Sequence, residues 1–262
     1  MQPLKFVSLM SANAEPFYRA LAAYLAQQIG QPIVPVEDQP WQERRAMLLD
    51  GRAALGAICG EPYVLLADQP APPVRLLVAP VLRESRYAQR PVYFSDVIVR
   101  RDSPAHSFAD LRGASWAYNE PGSFSGYHVV QAHLHDLGLD ERFFGSTIFS
   151  GAHLESLRLV LAGEVAATAL DSIVLAYELH RHPELTAQLR VVASIGPSPI
   201  PPLVVARHVP EPLAAELRGA ILAMHTNPTG QAALDVGLLA HFTEVNDADY
   251  DPIRQRLRTI RA

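Results

Sequence analysis

The stretch Pro121-Gly122-Ser123-Phe124-Ser125-Gly126-Tyr127 holds the most concentrated chemistry in the chain. It follows the short strand-like run 115–118 and precedes Val130, Leu134 and Leu137, spaced i, i+4, i+7. That spacing predicts a helix from near Ser125 to Gly138, with the serines in its first turn. A first helical turn leaves N–H groups unpaired at the positive end of the helix dipole, which suits an oxyanion. The glycines permit close backbone approach, and the two hydroxyls add donors without adding charge. The same residues also describe an ordinary serine N-cap with glycine turn chemistry, and the loop alone does not separate the two readings.

Two further clusters have a similar form. Ser150-Gly151-Ala152-His153 opens a helix over 153–161, and a histidine there is able to donate to an anion. Asp171-Ser172 follows the apolar strand 165–170, at the strand end where open α/β sheets place their ligands. Asp171 is equally well accounted for as the N-cap of a helix over 173–179. Glu61 and Tyr63 follow the strand 53–58, and Tyr93 and Ser95 lie in the strand 92–99; each also fits a surface position. Catalytic and metal readings are weaker. Phe124 occupies the nucleophile position of a G-x-S-x-G pattern, which removes the nucleophile. The histidines at 128, 133 and 135 lack the i, i+4 spacing of a helical metal pair, and no H-E-x-x-H, Walker A or G-x-G-x-x-G motif occurs.

The elements that must carry these clusters alternate between periods of two and 3.6, the pattern of an α/β architecture with crossover helices. Strands are expected at 4–9, 33–36, 53–58, 74–79, 92–99, 115–118, 165–170 and 203–206. Helices are expected at 17–29, 41–49, 125–138, 153–161, 173–179, 213–224 and 231–239. Two connectors, near 95–101 and 194–205, divide the chain into an outer pair of segments and a central block. The second holds the prolines 197, 199, 201 and 202, which restrict it to extended geometry. The expected lobes are 1–97 with 199–262, and 98–198, joined by two crossings with a ligand cleft between them.

Composition narrows the function classes. With 22 Lys+Arg against 27 Asp+Glu the net charge is −5, and no basic block is present to hold a phosphate backbone, so nucleic acid is not an expected partner. Cys59 is the single cysteine, which excludes an internal disulfide and a multi-cysteine metal site. No run approaches the ~18 apolar residues of a membrane span. The first ten residues lack the basic start, long apolar stretch and small-residue cleavage site of a secretory leader. The chain as written is therefore expected in the cytoplasm, or in the periplasm if a leader was removed.

Five stretches, ordered along most of the chain, together resemble the substrate-binding proteins of phosphate, phosphite and phosphonate ABC importers. They are Tyr93-Phe94-Ser95 with Val97-Ile98-Val99-Arg100, Phe108-Ala109-Asp110-Leu111-Arg112-Gly113, the serine loop 121–127, Ser150-Gly151-Ala152-His153, and 163–171. The serine loop is similar to the family's PxSTSGY, and 150–153 is similar to its TGSH. The resemblance implies a two-lobed type II periplasmic-binding fold, each lobe a sheet flanked by helices, closing on a small anionic ligand. It implies that Ser123, Ser125 and Gly126, with Tyr127 beside them, hold the oxyanion, that His153 donates to it and that Tyr93 covers it. Asp171 would face the rest of the ligand, and Ser95, Glu61 and Tyr63 complete the expected binding set. No cofactor and no metal are implied; the expected partners are an ABC permease or a sensor protein, and the expected state is a monomer. Phe124 stands where the family has threonine, which removes a hydroxyl, brings a ring in or beside the pocket and admits a larger or partly aromatic ligand. The alternative is an enzyme on the same fold, similar to those of the menaquinone pathway, acting on a small carboxylate or aromatic substrate.

Overall fold

The computed structural model describes residues 2–261. In chain order the elements are β1 (Leu4–Ser8), α1 (Glu15–Ile29), β2 (Ile33–Val36), α2 (Trp41–Leu49), β3 (Leu55–Ala57), α3 (Gly60–Ala67) and β4 (Val74–Leu82). Next come β5 (Val92–Arg100), β6 (Ser115–Tyr118), a π-helical turn (Phe124–His128), α4 (Val129–Asp136), β7 (Ser146–Phe149), α5 (His153–Leu161), β8 (Ala167–Asp171), α6 (Ser172–Arg181) and β9 (Leu189–Pro199). The chain ends with β10 (Leu203–Ala206), α7 (Glu211–Leu222), α8 (Pro228–Val236), β11 (Leu239–Thr243) and α9 (Asp251–Arg261).

Contacts divide these elements into two compact units. The first runs to Val92 and resumes over Pro199–Asp251; the second comprises Tyr93–Ser198 and the helix from Pro252 onward. The first unit holds a six-stranded sheet in the order β11-β4-β10-β3-β1-β2. β1 is parallel to β2 and β3, whereas β10, supplied by the returning segment, is antiparallel to β3 and β4. α1 illustrates how sequence makes an element here. A proline sits in its first turn, Phe17, Leu21, Tyr24 and Leu25 recur on the buried face, and Gly30 ends it at φ 65°, a backbone conformation that glycine adopts without steric cost.

The second unit holds a five-stranded sheet in the order β7-β6-β8-β5-β9. β6 is parallel to β7 and β8, and β5 is antiparallel to β8. Its core joins Ile98, Ala117 and Leu170 of the strands to Leu157 and Val160 of α5 and Leu175 of α6. The division differs from the expected one at 97/98, since the second unit already begins at Tyr93, and at the end of the chain. Residues 252–262 were expected with the first lobe and cluster with the second unit instead. The bond that ties this helix to the second unit runs from the Arg256 guanidinium to Asp136 of α4, and Ile253 and Leu257, four apart on the helix, are buried.

Candidate functional site

The second unit brings several of the expected residues together where β5, β6 and β8 meet the helices that follow them. After β6 the chain turns at Glu120, whose carbonyl accepts from the Ser123 N–H at 3.1 Å. Ser123 then caps the π-helical turn: its Oγ accepts from the Gly126 N–H at 3.1 Å, and its carbonyl accepts from Tyr127 and His128. The N-cap reading of the loop is thus met by Ser123, and a capping hydroxyl that accepts through oxygen keeps its own proton to donate. Ser123, Phe124, Ser125 and Gly126 are all buried.

Ser125 is tied down from two sides. Ser95 of β5 donates its hydroxyl to the Ser125 carbonyl at 2.7 Å, and the Ser125 hydroxyl lies 3.4 Å from Nε2 of His153. Ser95 therefore supports the turn's backbone. Register brings it there: Ser95 pairs with Asp171 across β5 and β8. Tyr93, two residues earlier, is buried on the same face of β5. His153 opens α5, and burial without a charged partner pushes its pKa down to about 4, so the ring is neutral at physiological pH. Its Nδ1 is buried and has no hydrogen-bond partner among the described residues.

Asp171 is the N-cap of α6, accepting from the Ile173 N–H at 2.8 Å. Burial, with a smaller contribution from the neighbouring Asp96 charge, raises its pKa to about 7 against the lowering effect of the Ile173 N–H. Asp96 is itself buried and accepts from the Ser194 hydroxyl at 2.6 Å. Phe124, expected in or beside a pocket, is only 2% exposed. Glu61 and Tyr63, expected after the strand 53–58, belong to the first unit and lie within α3. Tyr63 donates its hydroxyl to Asp247 at 2.6 Å and packs on Tyr250, with ring centroids 4.7 Å apart, which anchors the 247–250 turn.

Asn119 was not singled out in the sequence. Immediately after β6, it is 6% exposed, and its Oδ1 stands so close over Gly126 that a Cβ there would lie 1.9 Å from it. The same Cβ would lie 3.1 Å from Cε1 of His153. The available signal was an amide at the carboxyl end of a strand that leads into a glycine-bearing turn. The cluster holds uncharged groups able to donate (the Ser123 and Ser125 hydroxyls and an imidazole) beside one carboxyl group whose pKa is raised to about 7, while the Gly126, Tyr127 and His128 N–H groups are bonded to Ser123. Among the described residues no three His, Cys, Asp or Glu side chains are grouped to hold a metal ion, and no helix is long and apolar enough to cross a membrane.

Comparison with known proteins gives the fold and the family. The architecture is that of the type II periplasmic-binding proteins. A binding protein component of an ABC phosphonate transporter from Pseudomonas aeruginosa superposes with TM-score 0.84 at 18% identity, covering 99% of this chain and 86% of its own. PhnD1 from Prochlorococcus marinus, in complex with methylphosphonate, gives TM-score 0.84 at 17% identity over 99% and 98% of the two chains. A Xanthomonas citri protein bound to ATP gives TM-score 0.73 at 18% identity over 100% and 98%. The family model of ABC transporter phosphonate periplasmic substrate-binding proteins matches residues 8–250, so the chain belongs to that family. Members are substrate-binding proteins and not enzymes, which sets aside the enzyme alternative. No sequence among the curated proteins matches the chain.

Proposed function

We propose that the chain reversibly captures a small phosphorus oxyanion compound, a phosphonate or a phosphate ester, on the serine turn of its second unit. The observation that carries this reading is the convergence of the Ser123 and Ser125 hydroxyls and His153 at one buried turn, where Gly126 leaves room for close approach. Such donors stabilise an anion by hydrogen bonding, with no counter-charge to retain it. The neighbours support the ligand class, since methylphosphonate and ATP have a phosphorus oxyanion in common. In this reading the protein works as a monomer in the periplasm and hands its ligand unchanged to an ABC permease.

Methylphosphonate is the probe for the test. At a hundredfold excess over Kd it is expected to stabilise the fold by about 2.7 kcal/mol, read as a rise in melting temperature that grows with concentration. Phosphorus NMR after incubation is expected to return the compound unaltered. Absence of any thermal shift with methylphosphonate or ATP would set the reading aside. Ser125→Ala is expected to weaken methylphosphonate binding by about 1–3 kcal/mol, roughly 5- to 150-fold, through loss of a buried hydroxyl's hydrogen bond.

A further inference from the structure

A cavity of about 410 Å³ lies within the second unit beside the serine turn, and Gly126 and Tyr127 of that turn line it. Its walls hold two aromatic pairs. Trp116 and Phe144 stack with centroids 4.4 Å apart, and Tyr118 and Tyr127 are tilted at 5.1 Å. Parallel register sets Trp116 opposite Thr147 and Tyr118 opposite Phe149, so these four side chains share one face of the sheet. Phe149 is 58% exposed and lies 5.8 Å from Tyr118, extending the aromatic surface outward from the cavity. Gln131 and Arg142 add polar groups to the lining.

A cavity of this volume is the size of small-molecule sites, and the half-buried rings of Tyr118 and Tyr127, backed by the buried Trp116–Phe144 pair, are a surface on which another planar ring stacks. Contiguous exposed apolar surface is a mark of interaction sites, and Phe149, Tyr118 and Tyr127 adjoin one another here. Phe124, the ring that the sequence suggested for such a role, is not part of this wall; Tyr127, three residues on, is.

We propose that this cavity receives a planar aromatic group of the ligand, so that the ligand is an aryl- or heteroaryl-bearing phosphorus oxyanion whose two halves meet at Gly126. This rests on the reading of the serine turn as the oxyanion site. The test is calorimetric titration of wild type and Thr147→Trp with methylphosphonate and phenylphosphonate. Thr147 is exposed, lines the cavity and takes no part in the serine turn, and an indole there fills the space. Wild type is expected to bind phenylphosphonate at least tenfold tighter than methylphosphonate. Thr147→Trp is expected to keep the methylphosphonate affinity and lose that gain. In a Trp41→Phe background, which leaves Trp116 as the single tryptophan, phenylphosphonate should alter the emission and methylphosphonate should not. Equal affinity of wild type for the two compounds overturns the aromatic site and leaves the serine turn standing. A phenyl gain that survives in Thr147→Trp and is silent at Trp116 also overturns it, by placing the ring elsewhere. Failure of both compounds to bind overturns this proposal and the oxyanion reading together.

Discussion

Gly126→Ala is expected to lower methylphosphonate affinity at least a hundredfold. The added methyl would meet Asn119 Oδ1 at 1.9 Å and His153 Cε1 at 3.1 Å. Asn119 is buried at the end of β6, and the His153 ring is engaged with the Ser125 hydroxyl at 3.4 Å, so a shift of either disturbs the turn. Either the amide is expelled or the turn shifts, and both outcomes move the Ser123 and Ser125 hydroxyls away from a common target. Displacements of about 1 Å are enough to cost two orders of magnitude at sites that depend on orientation. The effect is steric and local, because the Gly126 φ lies outside the left-handed region. Gly219→Ala, where nothing lies within 4 Å of the new methyl, serves as the control and should leave affinity unchanged. Calorimetry on both variants, with Asn119→Ala added to Gly126→Ala, checks the cause. Removing the amide should restore part of the affinity, and no recovery would show that the clash is not with Asn119.

Asp171→Asn is expected to stabilise the protein by about 3–4 kcal/mol at pH 8 and by little near pH 4. The folded pKa of about 7 lies above the ordinary 3.8, so between those values the native state holds a proton that the unfolded chain has lost. Stability from this group is therefore complete below pH 4 and disappears as pH rises through 7. Asparagine removes the buried charge and still caps α6, because its side-chain carbonyl accepts as the carboxylate does. His153 acts in the opposite sense. Its pKa near 4 lies below the ordinary 6.5, so keeping it neutral costs stability as pH falls through that window. The two slopes nearly cancel between pH 4 and 6.5 in the wild type, whereas the variant retains the histidine slope alone. Thermal melts from pH 4 to pH 8 should show a gap between variant and wild type that opens steadily with pH. A gap independent of pH would mean that Asp171 is ionised in the fold throughout.

The local chemistry of the serine turn was legible because it depends on residues next to one another in sequence. Ser123 caps its turn, and the helix ends at Asp136, two residues from the expected stop. What joins Ser95 to Ser125, and Asn119 to Gly126, is not local. Those contacts follow from the antiparallel register of β5 on β8 and from the packing of β6, which no spacing in the sequence encodes. Elements were missed for similar reasons. β7 is an edge strand whose four residues are all exposed, so it carries no buried alternation to read. The 194–202 stretch was expected to be a stiff connector, yet as far as Pro199 it continues β9 as an edge strand, where prolines are tolerated. α3 begins through Gly60-Glu61-Pro62, a turn-like sequence that is also compatible with a first helical turn. The expected helix over 231–239 stops at Val236, and Leu239, its expected last residue, instead opens β11, a strand that was not expected.

The most direct test of the oxyanion site is a calorimetric titration of methylphosphonate into wild type and into the Ser123→Ala/Ser125→Ala double variant at one pH and one salt concentration. Saturable one-site binding to wild type, weakened at least a hundredfold in the double variant, is the result expected, with the free protein destabilised by about 0.5–2 kcal/mol through loss of the Ser123 cap. Equal affinity in both proteins would contradict the assignment and place the oxyanion away from the serine turn.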